Sequence, residues 1–158
     1  MKIKEVTDKK IWEKFISDYS PVSLFQSWNW GEAIRKLQII PLQRDPANGG
    51  TNYKLQILWR LGVYDDNNLV GIAQVVKVIA KRGTFLHIRH GPILREWKKE
   101  YLSFLLSHLK QLAKQEGASF LRISPLIENS PVNQQFFRNL RFINIPIHRM
   151  DGEVCWIF

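Results

Sequence analysis

The stretch Leu55-Gln56-Ile57-Leu58-Trp59-Arg60-Leu61-Gly62-Val63-Tyr64-Asp65-Asp66-Asn67-Asn68-Leu69 decides the fold. Leu55, Ile57, Trp59, Leu61 and Val63 recur at every second position, the period of a strand with one buried face. Asp65-Asp66-Asn67-Asn68 supplies turn chemistry before a second apolar run, Leu69 to Ile79. These features predict a β-hairpin. Thr84 to Ile88 continues as a third strand after the turn Lys81-Arg82-Gly83, and leads into Arg89-His90-Gly91-Pro92.

Two helices precede the hairpin. Thr7-Asp8 is a cap for a first helix whose apolar residues Ile11, Trp12, Phe15, Ile16 and Tyr19 repeat at three- and four-residue spacing, and Pro21 ends it. Ser27 is a cap for a second helix carrying Trp30, Ile34 and Leu37 on one face. Gly31 inside that helix costs about 1 kcal/mol relative to alanine, so its presence implies close approach by another element or a ligand. Pro41 to Asn52, with Asp45-Pro46 and Asn48-Gly49-Gly50, reads as a loop.

Beyond the meander, the longest helix is predicted from Glu96 to Glu116, burying Leu102, Leu105, Leu109 and Leu112, with Gly117 as its terminator. A buried strand Ser119 to Ile123 follows. Ser130-Pro131 gives an N-cap and N1 proline for a short helix burying Val132, Phe136 and Leu140, and a last strand starts at Glu153. The order α-α-β-β-β-α-β-α-β predicts an α/β domain, a mixed sheet with flanking helices spanning residues 1–158 as a single unit. No internal repeat or low-complexity segment interrupts it.

Composition sets the class. Hydrophobic residues make up 45% of the 158 and charged ones 23%, which excludes a disordered chain. A lone cysteine, Cys155, within the apolar run Val154 to Phe158, has no internal disulfide partner and reads as a small packed residue in a reducing compartment. No apolar run reaches the length of a membrane span and the first residues lack a signal-peptide core, so a cytoplasmic location is expected. The net charge of +9 favours polyanions such as tRNA, phosphorylated sugar nucleotides or an anionic membrane leaflet, although many basic proteins bind none of these. Lys77, Lys81, Arg82, Arg95, Lys98 and Lys99 crowd the hairpin and the start of the long helix, as a tRNA- or membrane-facing patch or as plain solvated surface. Four histidines, one cysteine and scattered acids show no metal-ligand spacing.

Three segments carry a family likeness: Phe25-Gln26-Ser27-Trp28-Asn29-Trp30-Gly31-Glu32, Arg89-His90-Gly91-Pro92-Ile93 and Leu121-Arg122-Ile123-Ser124-Pro125. In this order and spacing they resemble the first half of the FemABX aminoacyltransferases, which build peptidoglycan cross-bridges, from about Phe15 to Phe158. The resemblance implies a GNAT (acyl-CoA N-acyltransferase)-like fold, in a chain expected to be the N-terminal half of a longer two-half protein. It implies transfer of an amino acid from aminoacyl-tRNA, as co-substrate, to the stem peptide of a peptidoglycan precursor (UDP-MurNAc-pentapeptide or lipid II) in cell wall biogenesis, with a membrane-peripheral contact. The donor ester is already activated, so the chemistry needs positioning and oxyanion stabilisation and no metal or other cofactor. The lysine implicated in stabilising the oxyanion belongs to the family's second half, so the catalytic residues are unassigned here.

Acyl-CoA acetyltransferases carry a glycine-rich pyrophosphate loop before their central helix. This chain has Arg89-His90-Gly91-Pro92-Ile93-Leu94 there, with proline removing a backbone N–H, which argues against acetyl-CoA. A GNAT-superfamily N-acyltransferase using another donor, and a non-catalytic basic module that docks RNA or a protein, remain the alternatives.

Candidate substrate-binding residues follow from the likeness and from local pattern. Gln26, Trp28 and Trp30 match the first motif; Trp28 is the candidate stacking wall, while Trp30 fits the buried face with Ile34. Glu32 stands where the family can place a phosphate-binding lysine, leaving Arg35 or Lys36, one turn from Gly31, as replacements or as ordinary helix surface. Arg89, His90 and Gly91 leave a strand into a turn, where side chains converge on a cleft or simply bond the loop. Arg122 opposes Leu121 and Ile123 along its strand, so its charge requires an acidic partner or a groove that takes an anion. Ser124 follows as a hydrogen-bond donor without the partners of a nucleophile.

Overall fold

The computed structural model describes residues 1–39, 54–80, 83–145 and 155–158. The loop expected over Pro41 to Asn52, the turn residues Lys81 and Arg82, and the start of the last strand at Glu153 lie outside them, as do the side chains of Leu37, Leu55, Ile57 and Cys155.

Strand β1 (Lys2–Glu5) precedes helix α1 (Lys9–Tyr19), a 3₁₀ turn (Leu24–Gln26) and helix α2 (Trp28–Ile39). The meander comprises β2 (Lys54–Asp65), β3 (Asn68–Ala80) and β4 (Gly83–Arg89), followed by the short β5 (Ile93–Leu94). Helix α3 (Lys99–Gln115), β6 (Phe120–Ser124), α4 (Pro131–Asn139), β7 (Ile143–Ile145) and β8 (Cys155–Ile157) complete the order. Among the described residues the strands form one eight-stranded sheet in the order β1-β2-β3-β4-β6-β8-β7, with β5 pairing on β3. All pairs are antiparallel except β4 with β6, so the sheet is mixed, as the alternation of elements implies.

The expected order is thus extended by three strands. β1, β5 and β7 are short, and the residues of β1 are mostly exposed, so none shows a readable apolar period. Alternation along β2 is also broken, by a register shift between Leu55 and Leu58. Trp59, Leu61 and Val63 nevertheless share the core face.

Helix boundaries follow the capping residues. Asp8 accepts from the amides of Lys10 and Ile11, and Ser27 Oγ from the amide of Trp30. The Ser130 side chain accepts from the amide of Asn133, with Pro131 opening α4. Gly117 takes φ +64° immediately after α3, the left-handed conformation that ends a helix. α3 starts at Lys99, later than Glu96, because residues 93 and 94 are drawn into β5 and the Arg95 amide donates to the Val70 carbonyl.

Two cores sandwich the sheet. Leu102, Leu105, Leu106, Leu109 and Leu112 of α3 pack with Leu86, Ile88, Leu121, Ile123, Phe137 and Trp156. Trp12, Phe15 and Ile16 of α1 pack with Val6, Ile72 and Ile93 on the other face. In α1, Ile11 and Tyr19 fall on the exposed flank of the apolar stripe. In α4, Phe137 is the fully buried anchor; Phe136 and Leu140 pack partly buried against the same core, as the spacing implied, but Val132 is 77% exposed. Phe137 wins because it stacks on Trp156 and meets Trp97 and Phe142 edge to face.

Gly31 shows why α2 lies so close to the sheet. A Cβ there would meet Gln74 Oε1 and the Arg60 guanidinium, so the close approach expected from its glycine is by these two side chains. We expect Gly31→Ala to lower stability by about 1–3 kcal/mol despite alanine's better helix propensity, because overpacking a closed site outweighs that gain. Urea denaturation midpoints test this; an unchanged or raised midpoint would show that α2 can lift away.

Candidate functional site

Polar side chains under α2 hold the wall of a cleft. Arg60, only 1% exposed, donates from Nε to Gln74 Oε1 (3.2 Å) and from Nη2 to the Trp28 carbonyl (3.0 Å) and to Glu32 Oε1 (2.8 Å). Its guanidinium lies 3.6 Å from the Trp28 ring centroid. Gln74 Nε2 donates to the carbonyls of Phe25 (2.9 Å) and Ser27 (3.2 Å). Gln26 Oε1 accepts from the Gln74 amide (2.7 Å), and Gln26 Nε2 donates to the Arg89 carbonyl (2.7 Å). Trp12 Nε1 in turn donates to the Gln26 carbonyl (2.7 Å). Burial draws the Arg60 guanidinium below its usual range, opposed by Glu32; that hydrogen bond and the nearby Arg60, Arg35 and Lys36 charges hold Glu32 below the usual carboxylate range.

This network reassigns several candidates. Gln26 is fully buried and structural, and Gly91 is small because a Cβ would meet the Gln26 amide. Trp28 packs against the α1 core and carries Arg60 on its face, so it is not the stacking wall that its motif position suggested. Trp30 is not core: it is half-buried, lies edge to face with Phe25 at 4.9 Å, and lines the cleft. Arg35 pairs with Glu32 (3.6 Å) and Glu5 (3.9 Å) toward β1, and Lys36 is exposed; neither lines the cleft. Glu32, where the resemblance implied that a lysine can stand, instead neutralises Arg60 with its carboxylate.

The cleft holds about 480 Å³ of empty space, open to solvent, between α2 and the sheet. Phe25, Trp30 and Ile34 form one side, and Gln74, Val76, Val78, His87 and Arg89 the other. The Arg89 guanidinium sits 3.7 Å from the Phe25 ring centroid, and the His90 ring lies edge to face with Phe25 at 4.5 Å. His90 is fixed by its backbone: φ is +54°, its carbonyl accepts from Ser23 Oγ (2.8 Å), and its amide donates to Ser124 Oγ (3.2 Å). Ser124, 1% exposed, accepts a hydrogen bond from the turn through its hydroxyl. The Gly91–Pro92 peptide is cis.

Arg122 faces away from Leu121 and Ile123, as its strand position requires, and no carboxylate among the described residues pairs with it. The basic patch is partly self-neutralised, with Lys77 on Glu116 (3.0 Å) and Lys98 on Glu96 (2.8 Å). No group of three or more potential ligands for a metal occurs among the described residues. No helix among them is long and apolar enough to cross a membrane. Phe25 and His87 were missed as cleft residues. The one legible signal was the period itself, since His87 alternates with Leu86 and Ile88 in an otherwise apolar strand.

The profile of the FemAB family matches residues 50–139, more than half of the chain. No curated protein matches the sequence. Among solved structures, that of FemX superposes with a TM-score of 0.70 at 24% identity, over 91% of this chain and 32% of the FemX chain. A probable acetyltransferase from Staphylococcus epidermidis ATCC 12228 superposes at 0.58 with 15% identity, covering 99% of this chain and 97% of its own. The PaiA N-acetyltransferase of Thermoplasma acidophilum, solved with coenzyme A, gives 0.51 at 16% identity, covering 99% and 98%. These identities speak to the fold, which is the acetyltransferase fold expected from the element order. The chain spans about a third of the FemX chain and nearly all of these two acetyltransferase chains.

Two expectations follow. Replacing the Gln26 amide by a carboxylate sets negative charge against the Arg89 carbonyl, so Gln26→Glu should cost a few kcal/mol at neutral pH, measurable by urea denaturation. Burial first, then the charges of Arg122 and Arg89, lower His87 from 6.5 to about 3. The unfolded chain then binds the extra proton between these values, so stability is full above pH 6.5 and falls as pH drops toward 3. His108, lowered by burial, acts in the same sense. His87→Gln should therefore flatten, without abolishing, the loss of stability between pH 6.5 and 4.5; an unchanged slope would show that His87 titrates normally.

Proposed function

The chain belongs to the FemAB family, and from that premise we propose that it forms the acceptor-binding part of a tRNA-dependent aminoacyltransferase that extends the stem peptide of a peptidoglycan precursor. The cleft beside α2 carries this reading: Trp30, braced edge to face by Phe25, offers an aromatic surface to a ring, Val76 and Val78 an apolar floor, and Arg89, stacked on Phe25, a cation beside it. UDP-MurNAc-pentapeptide and lipid II both combine a sugar ring with a diphosphate, matching that division of surface.

The path from β4 to α3 also favours an acceptor over an acyl-CoA. A helix that begins at a strand end offers free amides to a pyrophosphate. Here residues 90–98 intervene, Pro92 has no N–H, and the Arg95 amide is already bonded to Val70. Aminoacyl-tRNA would be the donor, no further cofactor is invoked, and the excess of positive charge suits both a tRNA and a peripheral contact with an anionic leaflet. A second acetyltransferase-like half would complete the catalytic constellation.

The test is calorimetric titration of the 158-residue chain with UDP-MurNAc-pentapeptide, with acetyl-CoA as comparison. We expect selective binding of the muramyl ligand, weakened about tenfold, ~1.4 kcal/mol, by Trp30→Ala. Selective binding of acetyl-CoA would replace this function with acyl transfer from coenzyme A.

A further inference from the structure

The cationic face of the sheet continues past the cleft. His87 on β4 and Arg122 on β6 are direct partners in the parallel ladder, so both side chains rise from one face. Phe85 and Phe120, two residues earlier on the same strands, stack at 4.7 Å with an interplanar angle of 8°. The Arg122 guanidinium lies 5.1 Å from the first ring and 5.9 Å from the second. Two residues later, Arg89 pairs with Ser124.

Arg122 differs from the cations that carboxylates neutralise. Arg60 has Glu32, Arg35 has Glu5 and Glu32, Lys77 has Glu116 and Lys98 has Glu96. Arg122 has no carboxylate among the described residues, and its Nε is buried without a hydrogen-bond partner. The neighbouring His87 Nε2 is buried and unpartnered in the same way. A buried polar group that nothing satisfies is destabilising, so two on adjacent strands make a persistent demand for hydrogen-bond partners.

We propose that the Arg122 guanidinium and the His87 imidazole beside it form the seat for an oxyanion, a phosphate or carboxylate group of the ligand that occupies the cleft. The proposal rests on the acceptor reading above and assigns one group of that ligand to named atoms. Arg122 supplies a permanent charge and a planar donor fork, held over the stacked pair Phe85 and Phe120. His87, uncharged near neutrality, contributes a hydrogen bond without adding another cation to desolvate. Because His87 also lines the cleft, the seat adjoins the aromatic wall of Phe25 and Trp30.

The experiment follows the imidazole of His87 by NMR in the 158-residue chain labelled with ¹⁵N-histidine. Inorganic pyrophosphate is titrated in one arm and N-acetylalanine in the other, so that the responding arm identifies phosphate or carboxylate. We expect the His87 nitrogens to shift in at least one arm, the shift to vanish in Arg122→Met, and Arg122→Lys to retain it with weaker affinity. A chain whose His87 signals move with neither probe, or whose shift survives in folded Arg122→Met, overturns the seat. Should Arg122→Met not fold, the Lys variant decides: undiminished affinity overturns the proposal and several-fold weaker affinity supports it. UDP-MurNAc-pentapeptide separates the two readings. Undiminished muramyl binding by Arg122→Met overturns the seat alone, whereas absent muramyl binding with the probe shift intact overturns the acceptor reading and leaves the oxyanion seat.

Discussion

The buried guanidinium of Arg60 is the constraint on which the rest of the domain depends. A charge enclosed between a helix and a sheet is tolerable only when its donors are met and its charge is balanced. Gln74, the Trp28 carbonyl and Glu32 do this together, and each is thereby fixed in place. Gln74 passes the constraint to Phe25 and Ser27, and Gln26 passes it to the end of β4. Position 31 has to be glycine because the network fills the space that a Cβ would take, and position 91 because Gln26 does. A chain of hydrogen bonds thus sets how deep α2 sits and where the turn after β4 begins.

Those two placements make the cleft. Phe25 stands where it does because its carbonyl is tied to Gln74, Trp30 because its amide is capped by Ser27, whose carbonyl Gln74 also holds, and Arg89 opposite because its carbonyl is tied to Gln26. The motif residues Gln26 and Gly31 therefore build the site without entering it. This explains why the two tryptophans exchange the parts their sequence positions suggest. Trp28, at the first position of α2, turns back over Arg60 and the α1 core; Trp30, two residues on, points toward β3 and β4.

Much of the fold was legible because its devices are local. The alternation around Trp59, the turn at Asp65, the caps Asp8, Ser27 and Ser130 and the stop at Gly117 each depend on residues close in sequence. β1 and β5 were not legible because their pairing is imposed from outside: Lys2–Glu5 has a single apolar residue and is a strand only because the edge of β2 accepts it. Arg60 was overlooked for a related reason. In an alternating strand a charge on the second face reads as solvent-facing, and only the covering helix turns that face into an interior. Gln74 was the available clue, a polar residue inside the apolar run Val70 to Val76 that needed a buried partner.

Under the proposed function, the acid–base balance of the cleft suits holding a ligand more than moving a proton. Attack by an amine on an activated ester needs an acceptor for the amine proton whose basicity suits neutral solution. His87, lowered to about 3 by burial and two arginines, stays neutral there and is far too weak a base for that task. The same surroundings make it effective as a hydrogen-bonding group of constant charge beside Arg122. In the proposed function, a guanidinium with a neutral hydrogen-bonding imidazole beside it would orient an anionic acceptor by geometry and charge, the contribution that transfer from an already activated donor most requires.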